Sequence, residues 1–447
     1  MWMVSLKDWA FLKLVQDIKY ISLVGILLFS LLITPSWAGL SWLRVKNLSV
    51  VDEYNHAFIL NGINLSNNVW GNWVSGKSES LEAQGKDPLV RPIQQDGWVL
   101  NEADFERLSK LKPKVVRYSI NYELFAEENE FRKSNMDLLK KHIKRFDELG
   151  VYAIVNLHLP PGLDVQSDNF ERNKPAKTRL QSLFENDEFW QRTVKMWQYL
   201  AANLKDLPAV AGYSVYNEPR LPSEADGGIA HYQKRQNELV AAIRCIDKKH
   251  IVFIPEYNSR EDNDEKQSVI WERGFIKVSD ANVVYVFSFY EPYEYTHLGR
   301  PGFNERQLDE YIQNKVNWAK SKGQAPILIC EYGVNRNQPV DKRLKYIKFI
   351  DGISKKYDLA AIYWEYKSSV NPFTKPLWIC GLFSEFLNTD KAIIFENGYY
   401  KYQDWAEKPA KENSFDALFR KYYYKTASSV SLIDNQTIWQ SLHDSYK

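Results

Sequence analysis

Two glutamates stand where apolar, strand-forming stretches of the sequence end. Glu218 lies in the segment GYSVYNEPR, residues 212–220, and Glu331 lies in ILICEYG, residues 327–333. A buried carboxylate without a partner costs a protein several kcal/mol, so each of these needs a partner or a use. Two carboxyl groups that face one cleft would supply an acid together with a base or a nucleophile.

Further polar and aromatic residues end similar stretches. Arg117 in VVRYSIN offers a positive charge that would hold Glu331 ionised, as a nucleophile requires. His158 in VNLHLPPG is a polar group and Tyr290 in FSFYEP is a hydroxyl donor; a structural core role is the less favoured alternative for each. The candidate site therefore comprises Arg117, His158, Asn217, Glu218, Tyr290, Glu331 and, in IYWEY, Trp364.

These residues need a scaffold that brings strand ends together. After residue 38, apolar strand-like runs alternate with amphipathic helical ones, a pattern typical of βα units around a parallel sheet. The predicted strands cover residues 57–65, 114–121, 152–159, 211–217, 251–256, 283–290, 326–332 and 360–366. Eight such units predict an α/β protein with a single (β/α)8 TIM barrel domain, whose reactive groups lie at the carboxyl ends of the strands. A doubly wound sheet is the alternative, but no glycine-rich phosphate turn follows the first strand.

The connecting segments are predicted from capping residues and helical periodicity. Helices are expected at residues 102–111, 135–149, 187–204, 231–247, 305–322 and 341–357, with a closing helix near 414–425. The catalytic domain covers residues 39–447, and a polar C-terminal extension begins after about residue 426. Two long connections, 67–100 and 160–185, would wall the cleft. Tryptophans at positions 70, 73, 98 and 378 are outer stacking subsites or anchors of their own loops.

A barrel brings Glu218, after the fourth strand, and Glu331, on the seventh, to one mouth. Glutamates on opposite sides of such a mouth can cleave a glycosidic bond: one protonates the leaving oxygen, and the other attacks the sugar or activates water. The tripeptide Asn217-Glu218-Pro219 alone fits a plain turn equally well. The order of the residues along the strands favours the catalytic reading.

The candidate residues, in this strand order, resemble glycoside hydrolase family 5, the cellulase-like retaining glycosidases of clan A. The resemblance covers roughly residues 57–383, and it includes LNGINLS at residues 60–66 and YEPYEYTHLG at residues 290–299. It implies that Glu218 is the general acid/base and that Glu331 is the nucleophile. It further implies that Asn217 binds the sugar 2-hydroxyl and that Arg117 and Tyr290 orient Glu331. The two carboxyl groups of a retaining enzyme stand about 5–5.5 Å apart.

The same resemblance implies that His158 lines the subsite of the reacting sugar and that Trp364 is its stacking platform. One position departs from the family pattern. The family usually has His-x-Tyr on the sixth strand, whereas this chain has Ser288-Phe289-Tyr290. Serine is too short to reach where an imidazole would, so we expect effects on rate, pH optimum and substrate preference more than on the reaction type.

The predicted function is that of a retaining, endo-type β-glycosidase acting on a β-linked glucan, most simply β-1,4-glucan. A β-mannanase or a β-1,3-glucanase is the alternative within this barrel, because loops set substrate choice. A non-hydrolytic carbohydrate-binding barrel is the alternative from another class, motivated by Ser288. Two buried carboxylates facing each other argue against a pure binder.

Composition limits the other classes of function. The chain has 447 residues, of which 45% are apolar and 26% are charged, and a net charge of +2 gives no basic field for nucleic acid. We find no phosphate loop, no GxGxxG turn and no zinc-type spacing of Cys and His, so neither a nucleotide, another cofactor nor a metal is expected. The expected partner is an oligo- or polysaccharide.

The first 38 residues differ from the rest. Lys7, Lys13 and Lys19 precede an apolar run at residues 20–33, which is followed by Ser36-Trp37-Ala38. This pattern predicts a signal peptide cut after Ala38, and therefore a secreted or periplasmic protein. An uncleaved membrane anchor is less favoured, because a spanning helix needs about 20 apolar residues.

Three cysteines, Cys245, Cys330 and Cys380, cannot all pair within one chain, so they are read as buried free thiols. Cys330 directly precedes Glu331. If the strand alternates regularly, the Cys330 side chain points to the opposite face and packs in the core.

Overall fold

The computed structural model of the chain describes residues 39–65, 100, 102–125, 130–161, 183–222, 227–258, 273–297, 302–335, 338–368, 382–384, 393–396, 399–402, 430–431 and 435–447. The elements below belong to one compact unit, Leu40–Lys447. Most of the predicted connections 67–100 and 160–185, the predicted helix at 414–425, Cys380 and the four loop tryptophans lie outside the described residues.

A closed parallel barrel forms the centre of the fold. Its strands are β1 Gly62–Leu65, β2 Val115–Asn121, β3 Tyr152–Leu159, β4 Val210–Ser214, β5 Ile251–Pro255, β6 Val283–Ser288, β7 Ile327–Tyr332 and β8 Ala360–Tyr363. Each strand pairs in parallel with the next, and β8 pairs with β1. The predicted (β/α)8 barrel is confirmed. The fourth strand ends at Ser214, so Asn217 and Glu218 lie in the loop that follows it.

Helices surround the barrel. They are α1 Glu102–Leu111, α2 Lys133–Glu148, α3 Asp187–Leu204, α4 Gly228–Arg244, α5 Glu305–Trp318, α6 Val340–Tyr357 and α7 Asn435–Ser445. Single turns occupy Tyr122–Phe125 and Tyr293–Thr296, and a π-helical turn, Ala319–Gly323, extends α5. Asn186 caps α3, since its side chain accepts hydrogen bonds from the backbone N–H groups of Glu188 and Phe189 at 2.9 and 3.1 Å.

The two-residue period of the strands separates an inner layer from an outer one. On β2, Val116 and Tyr118 pack outward among the residues that contact the helices. Val115 packs inward with residues from the other strands. Arg117 shares the inward parity of Val115, so the chain places a charged side chain inside the barrel.

The C-terminus is helical where a polar extension is expected from the sequence. In α7 and the residue after it, Ile438, Leu442 and Tyr446 are buried. The Tyr446 hydroxyl donates a hydrogen bond to the Gly62 carbonyl oxygen at 2.6 Å. The four-residue spacing of these apolar side chains indicates an amphipathic helix. The many polar residues between them make this pattern hard to recognise in the sequence.

Short strands complete the described structure. Arg44–Lys46 and Ser49–Val51 form a hairpin, and Tyr257–Asn258 pairs with Arg273–Gly274 beyond β5. Phe383–Ser384 lies between Lys367–Ser368 and Val430–Ser431, and Ile393–Glu396 pairs with Tyr399–Tyr402. None of the helices in the described ranges combines the length and the apolar character that a bilayer crossing requires.

Candidate active site

Arg117 is the centre of a polar cluster inside the barrel, and its side chain is 1% exposed. One terminal nitrogen, Nη1, donates to Glu331 Oε1 at 2.6 Å and to Asn64 Oδ1 at 3.1 Å. The other, Nη2, donates to Asn156 Oδ1 and to Asn217 Oδ1, both at 2.8 Å. Arg117 thus fixes side chains from β1, β3, β7 and the loop after β4.

Glu331 is buried, and both of its carboxylate oxygens have partners. Oε1 receives the Arg117 bond, and Oε2 accepts a hydrogen bond from the Tyr290 hydroxyl at 3.1 Å. Burial raises the pKa of Glu331 to about 7, against the lowering effect of Arg117, and the negative charge of Glu218 adds to the rise. The expected contact with Arg117 is therefore present, but it does not keep the carboxyl ionised below neutral pH.

An irregularity in β7 turns Glu331 into the barrel. The pairing of β7 with β8 shifts register between Ile329 and Tyr332, and both of these residues pack on the outer side of the sheet. Cys330 packs on the inner side, and the bond from Arg117 shows that Glu331 points inward as well. Two successive side chains therefore face the interior, as a β-bulge allows.

The prediction that Cys330 faces away from Glu331 is wrong for this reason. Cys330 is buried as expected, whereas Cys245 is exposed, so the expectation of a buried thiol is wrong for Cys245. The Cys330 Sγ lies 4.0 Å from Ser288 Oγ and lines the same small cavity as Ser288. Burial raises the pKa of the Cys330 thiol to about 12, so the thiol stays protonated at neutral pH.

His158 has an amide group beside each ring nitrogen, of which the neutral ring can accept a hydrogen bond from one, and an aromatic ring on one face. Asn156 Nδ2 lies 3.1 Å from its Nδ1, and Asn217 Nδ2 lies 3.3 Å from its Nε2. Burial, together with the charge of Arg117, lowers the pKa of His158 well below its ordinary value, so the ring is neutral. Trp364 stacks on it, with ring centroids 5.2 Å apart and planes inclined by 26°.

Trp364 lies beside the nucleophile candidate. It is buried and packs against Tyr290, the residue that donates to Glu331. The structure thus brings Trp364, His158 and Tyr290 to the same end of the barrel. The sugar-platform role of Trp364 stays a prediction.

Glu218 occupies a half-buried position in the loop after β4. Its φ of 41° lies in the left-handed region, which non-glycine residues rarely adopt and which often marks a functional residue. It lines a small cavity that also includes Arg117, Asn217, Ser288 and Cys330. Glu218 therefore lies next to the Arg117 cluster, and the 5–5.5 Å separation from Glu331 stays a prediction.

Several residues of this site were missed in the sequence. Asn64 and Asn156 accept hydrogen bonds from Arg117, and Asn64 Nδ2 also donates to the Cys330 carbonyl oxygen at 2.9 Å. A polar residue in each of two otherwise apolar strands was the available signal, and Asn156 has the same inward parity as His158. In the described part of the chain, no group of three or more His, Cys, Asp or Glu is placed to hold a metal ion.

Comparison with known proteins finds relatives that are named as glycosidases. A β-xylosidase from Phanerodontia chrysosporium is 24% identical over 312 residues, which cover 64% of this chain and 60% of that protein. The chain therefore spans less than two thirds of the length of that relative. Endoglucanase C from Acetivibrio thermocellus is 19% identical over 311 residues, covering 60% of this chain and 84% of that enzyme.

Solved structures share the fold. Cel5A of Thermotoga maritima, in a complex with mannotriose, superimposes with a TM-score of 0.51 at 20% identity, covering 73% of this chain and 92% of that one. The family model for cellulase, glycosyl hydrolase family 5, matches residues 81–370, which contain every candidate site residue. Since that match spans well over half of the sequence, this chain belongs to the cellulase family, glycosyl hydrolase family 5.

Proposed function

We propose that the protein is a retaining β-glycosidase that cleaves internal bonds of a β-linked glucan, most simply β-1,4-glucan. The observation that carries this proposal is the environment of Glu331. Its two oxygens are held by Arg117 at 2.6 Å and by Tyr290 at 3.1 Å, and the negative charge of Glu218 acts on it. A carboxylate fixed in this way is oriented for attack on a bound sugar.

In the first step, Glu331 attacks the anomeric carbon while protonated Glu218 donates its proton to the leaving oxygen. The glycosidic C–O bond breaks, and an ester joins the sugar to Glu331. In the second step, Glu218 takes a proton from water as the water oxygen bonds to the anomeric carbon, and the ester bond to Glu331 breaks. Two displacements return the original anomeric configuration.

The different burial of the two glutamates supports this division of roles. Glu331 is only 4% exposed, and its carboxylate oxygens contact Arg117 and Tyr290. Glu218 is half-buried, so it can exchange its proton with water between turnovers. The acid/base of a retaining enzyme changes protonation state twice per turnover, which a more exposed carboxyl does readily.

Asn217, His158 and Trp364 are proposed to bind the reacting sugar. Arg117 occupies Asn217 Oδ1, which turns the Asn217 amide so that its Nδ2 lies toward His158 and can also donate to a sugar 2-hydroxyl. Trp364 stacks on the His158 ring and packs against Tyr290, and its indole is proposed to contact the pyranose ring as well.

The test is the release of reducing ends by the full chain from β-1,4-glucan, mixed-linkage glucan, β-1,3-glucan, β-mannan and xylo-oligosaccharides. Glu331→Ala is the blank. We expect release from β-1,4-glucan that is absent in the blank, with a rapid fall in polymer length that indicates internal cleavage. Proton NMR of the first product should show the β-anomer; an α-anomer would contradict retention. Binding without release on every substrate would favour a non-hydrolytic barrel.

The panel also separates the alternatives within the family. The relatives include proteins named a β-xylosidase and an endoglucanase, and a related barrel has been solved with mannotriose. A preference for mannan, xylo-oligosaccharides or β-1,3-glucan would keep the mechanism and replace the proposed substrate, because all of these sugars place the scissile bond over the same carboxyl pair.

We also propose that the protein is exported and cleaved after Ala38. The basis is the arrangement of three lysines, an apolar run at residues 20–33 and the triplet Ser36-Trp37-Ala38. N-terminal sequencing of the exported protein should begin at Gly39. Recovery of an uncleaved chain in the membrane fraction would contradict cleavage and favour the anchor.

A further inference from the structure

A second arginine, Arg273, contacts the Ser288 backbone close to the candidate site. Arg273 belongs to the short strand pair beyond β5, and its side chain is 13% exposed. Its Nη1 donates to the Ser288 carbonyl oxygen at 3.0 Å and lies 3.2 Å from Glu291 Oε1 and 3.5 Å from Glu256 Oε1. Arg273 also lines the cavity that Glu218 lines.

A buried ion pair fixes Glu256, one of the two glutamates beside Arg273. Glu256, directly after β5, pairs with Lys315 of α5, and both side chains are less than a tenth exposed. The Lys315 ammonium also lies 4.7 Å from the ring of Tyr311 and 5.1 Å from that of Phe287. A lysine held in this way has little freedom, so Glu256 offers Arg273 a fixed counter-charge.

Glu291 connects Arg273 to Tyr290, the residue that donates to the nucleophile candidate Glu331. Glu291, which pairs with Arg273, accepts a hydrogen bond from the Tyr290 backbone N–H at 3.0 Å. The Thr296 hydroxyl donates to the Tyr290 carbonyl oxygen at 2.6 Å. The backbone of Tyr290 is thus held on both sides, while its hydroxyl donates to Glu331 at 3.1 Å.

We propose that Arg273 is a positioning residue for the reaction: it holds Glu291, Glu291 holds Tyr290, and Tyr290 holds Glu331. The proposal rests on the proposed function of Glu331 as the nucleophile. Burial alone would lower the pKa of Arg273, but the carboxylates of Glu291 and Glu256 outweigh it and raise that pKa, so the guanidinium keeps its charge.

Other groups also act on Glu331, and the test must separate them. Arg117 faces it from β2, Glu218 from the loop after β4, and Cys330 precedes it on β7. Of the groups that contact the Glu331 carboxylate, Tyr290 is the one that Glu291 and Arg273 hold. The charge of Arg273 also acts on Glu218, which lines the same cavity. If Arg273 acts through Tyr290, removing it should have the same effect on Glu331 as removing the Tyr290 hydroxyl, whereas a direct effect of its charge would add to that effect.

The experiment is a double-mutant cycle read from the pH dependence of kcat/KM. Arg273→Gln and Tyr290→Phe should each move the acid limb upward by about one pH unit, because a hydrogen bond to the ionised carboxylate is lost. The double variant should shift no further than either single variant. Glu291→Gln, which keeps an acceptor for the Tyr290 N–H but loses the ion pair, should shift the limb in the same direction by less.

Arg244→Gln is the matched control. Arg244 pairs with Asp280 at 2.7 Å, with side chains 16% and 14% exposed, between α4 and the start of β6 at the opposite end of the barrel. Its loss should lower thermal stability and leave the acid limb in place. Arg273→Gln acting like Arg244→Gln, with lower stability and an unmoved limb, would overturn the proposal. A shift that adds to that of Tyr290→Phe would overturn it too, since Arg273 would then act directly through its charge.

Failure of the proposed function is distinguishable from failure of this inference. An inactive wild type across the substrate panel would overturn the hydrolase. The Glu331 titration can then be followed without turnover, by NMR of ¹³C-carboxyl glutamate with Glu331→Gln to assign the signal. If Arg273→Gln does not fold, Glu291→Gln supplies the same test: an upward shift supports the proposal, and an unmoved titration overturns it.

Discussion

Glu331 and Asp247 are both buried carboxylates that contact a tyrosine hydroxyl and a basic side chain, yet their pKa values move in opposite directions. Asp247 Oδ2 accepts a hydrogen bond from the Tyr213 hydroxyl at 2.6 Å and lies 2.5 Å from His250 Nδ1. Although burial opposes it, the bonds from His250 and Tyr213 lower the pKa of Asp247, whereas burial raises that of Glu331 to about 7.

Two differences explain the contrast. Asp247 Oδ1 also accepts the backbone N–H groups of Lys249 and His250, at 2.8 and 3.1 Å, and such bonds favour the ionised form. Glu331 instead faces a second carboxylate, Glu218, whose charge favours the protonated form. Similar partners thus give one carboxylate that stays ionised and one that is set to titrate near neutral pH.

The two sites are also separated in the barrel. His250 directly precedes β5, and its Nε2 donates to the Leu207 carbonyl oxygen at 3.0 Å, just before β4. The Asp247 cluster therefore lies at the amino ends of the strands, while Glu331 lies at a carboxyl end. We therefore expect the ionised Asp247 to stabilise the fold and the titration of Glu331 near neutral pH to serve the proposed chemistry.

The largest expected effect is the loss of turnover in Glu331→Ala. Removing the proposed nucleophile should lower kcat on an aryl β-glycoside by about 10⁴-fold or more. Added azide should restore part of the rate and give the α-glycosyl azide, because a single displacement inverts configuration. Glu218→Ala should give the β-azide through the glycosyl-enzyme. If Glu331→Ala gave the β-azide and Glu218→Ala gave the α-azide, the roles of the two glutamates would be reversed.

Asp247→Asn should break stability and leave chemistry intact. Removing one charge of a buried pair typically costs about 3 kcal/mol, and the nearby backbone donors would lose a charged acceptor. Urea unfolding should show this loss, while kcat/KM below the melting range stays within about threefold of the wild type. A drop in kcat/KM of tenfold or more in the folded variant would show that the two ends of the barrel are coupled.

The sequence predicts side-chain positions that depend on one strand, but not positions that depend on pairing between strands far apart in the chain. The inward positions of Arg117 and His158 follow from the two-residue period of their own strands. The shared side of Cys330 and Glu331 does not, because the bulge in β7 depends on pairing with strands that are about 40 residues earlier and 30 later in the chain.

The same limit applies to the second arginine. Arg273 is joined to Ser288, Glu256 and Glu291 only through the folded barrel, and its own strand is two residues long. No periodic pattern marks so short an element, so the pairing could not be read from the sequence. The barrel strands, by contrast, were predictable because each is an apolar run that is separated from the next by a helical segment.

The two carboxylates should also separate activity from stability by pH. The proposed attack by Glu331 requires the ionised carboxylate, so kcat/KM should fall as pH decreases through about 7, the raised pKa of this carboxyl. Asp247 has a lowered pKa in the folded state, so its stabilising contribution is present above its unfolded pKa of about 3.9 and is lost as pH falls below it. At pH 5 the protein should be folded and poorly active.

Urea unfolding and kcat/KM measured from pH 3 to 9 would check both windows. The stability difference between the wild type and Asp247→Asn should be constant from about pH 5 to 8 and shrink below about pH 4. An acid limb near pH 4.5 would contradict the burial effect on Glu331. A stability difference that disappears near pH 7 would contradict the assignment of Asp247.

The smallest and most selective effects should come from the two tyrosines. Tyr290→Phe removes a hydrogen bond to ionised Glu331, so the acid limb of kcat/KM should rise by about one pH unit. Tyr213→Phe removes the matching bond to Asp247 and should cost about 1 kcal/mol of unfolding free energy without moving that limb. Both variants delete one hydroxyl beside one carboxylate. If Tyr213→Phe shifted the limb as Tyr290→Phe does, the change would be a general property of the barrel, and the special position of Glu331 would have to be abandoned.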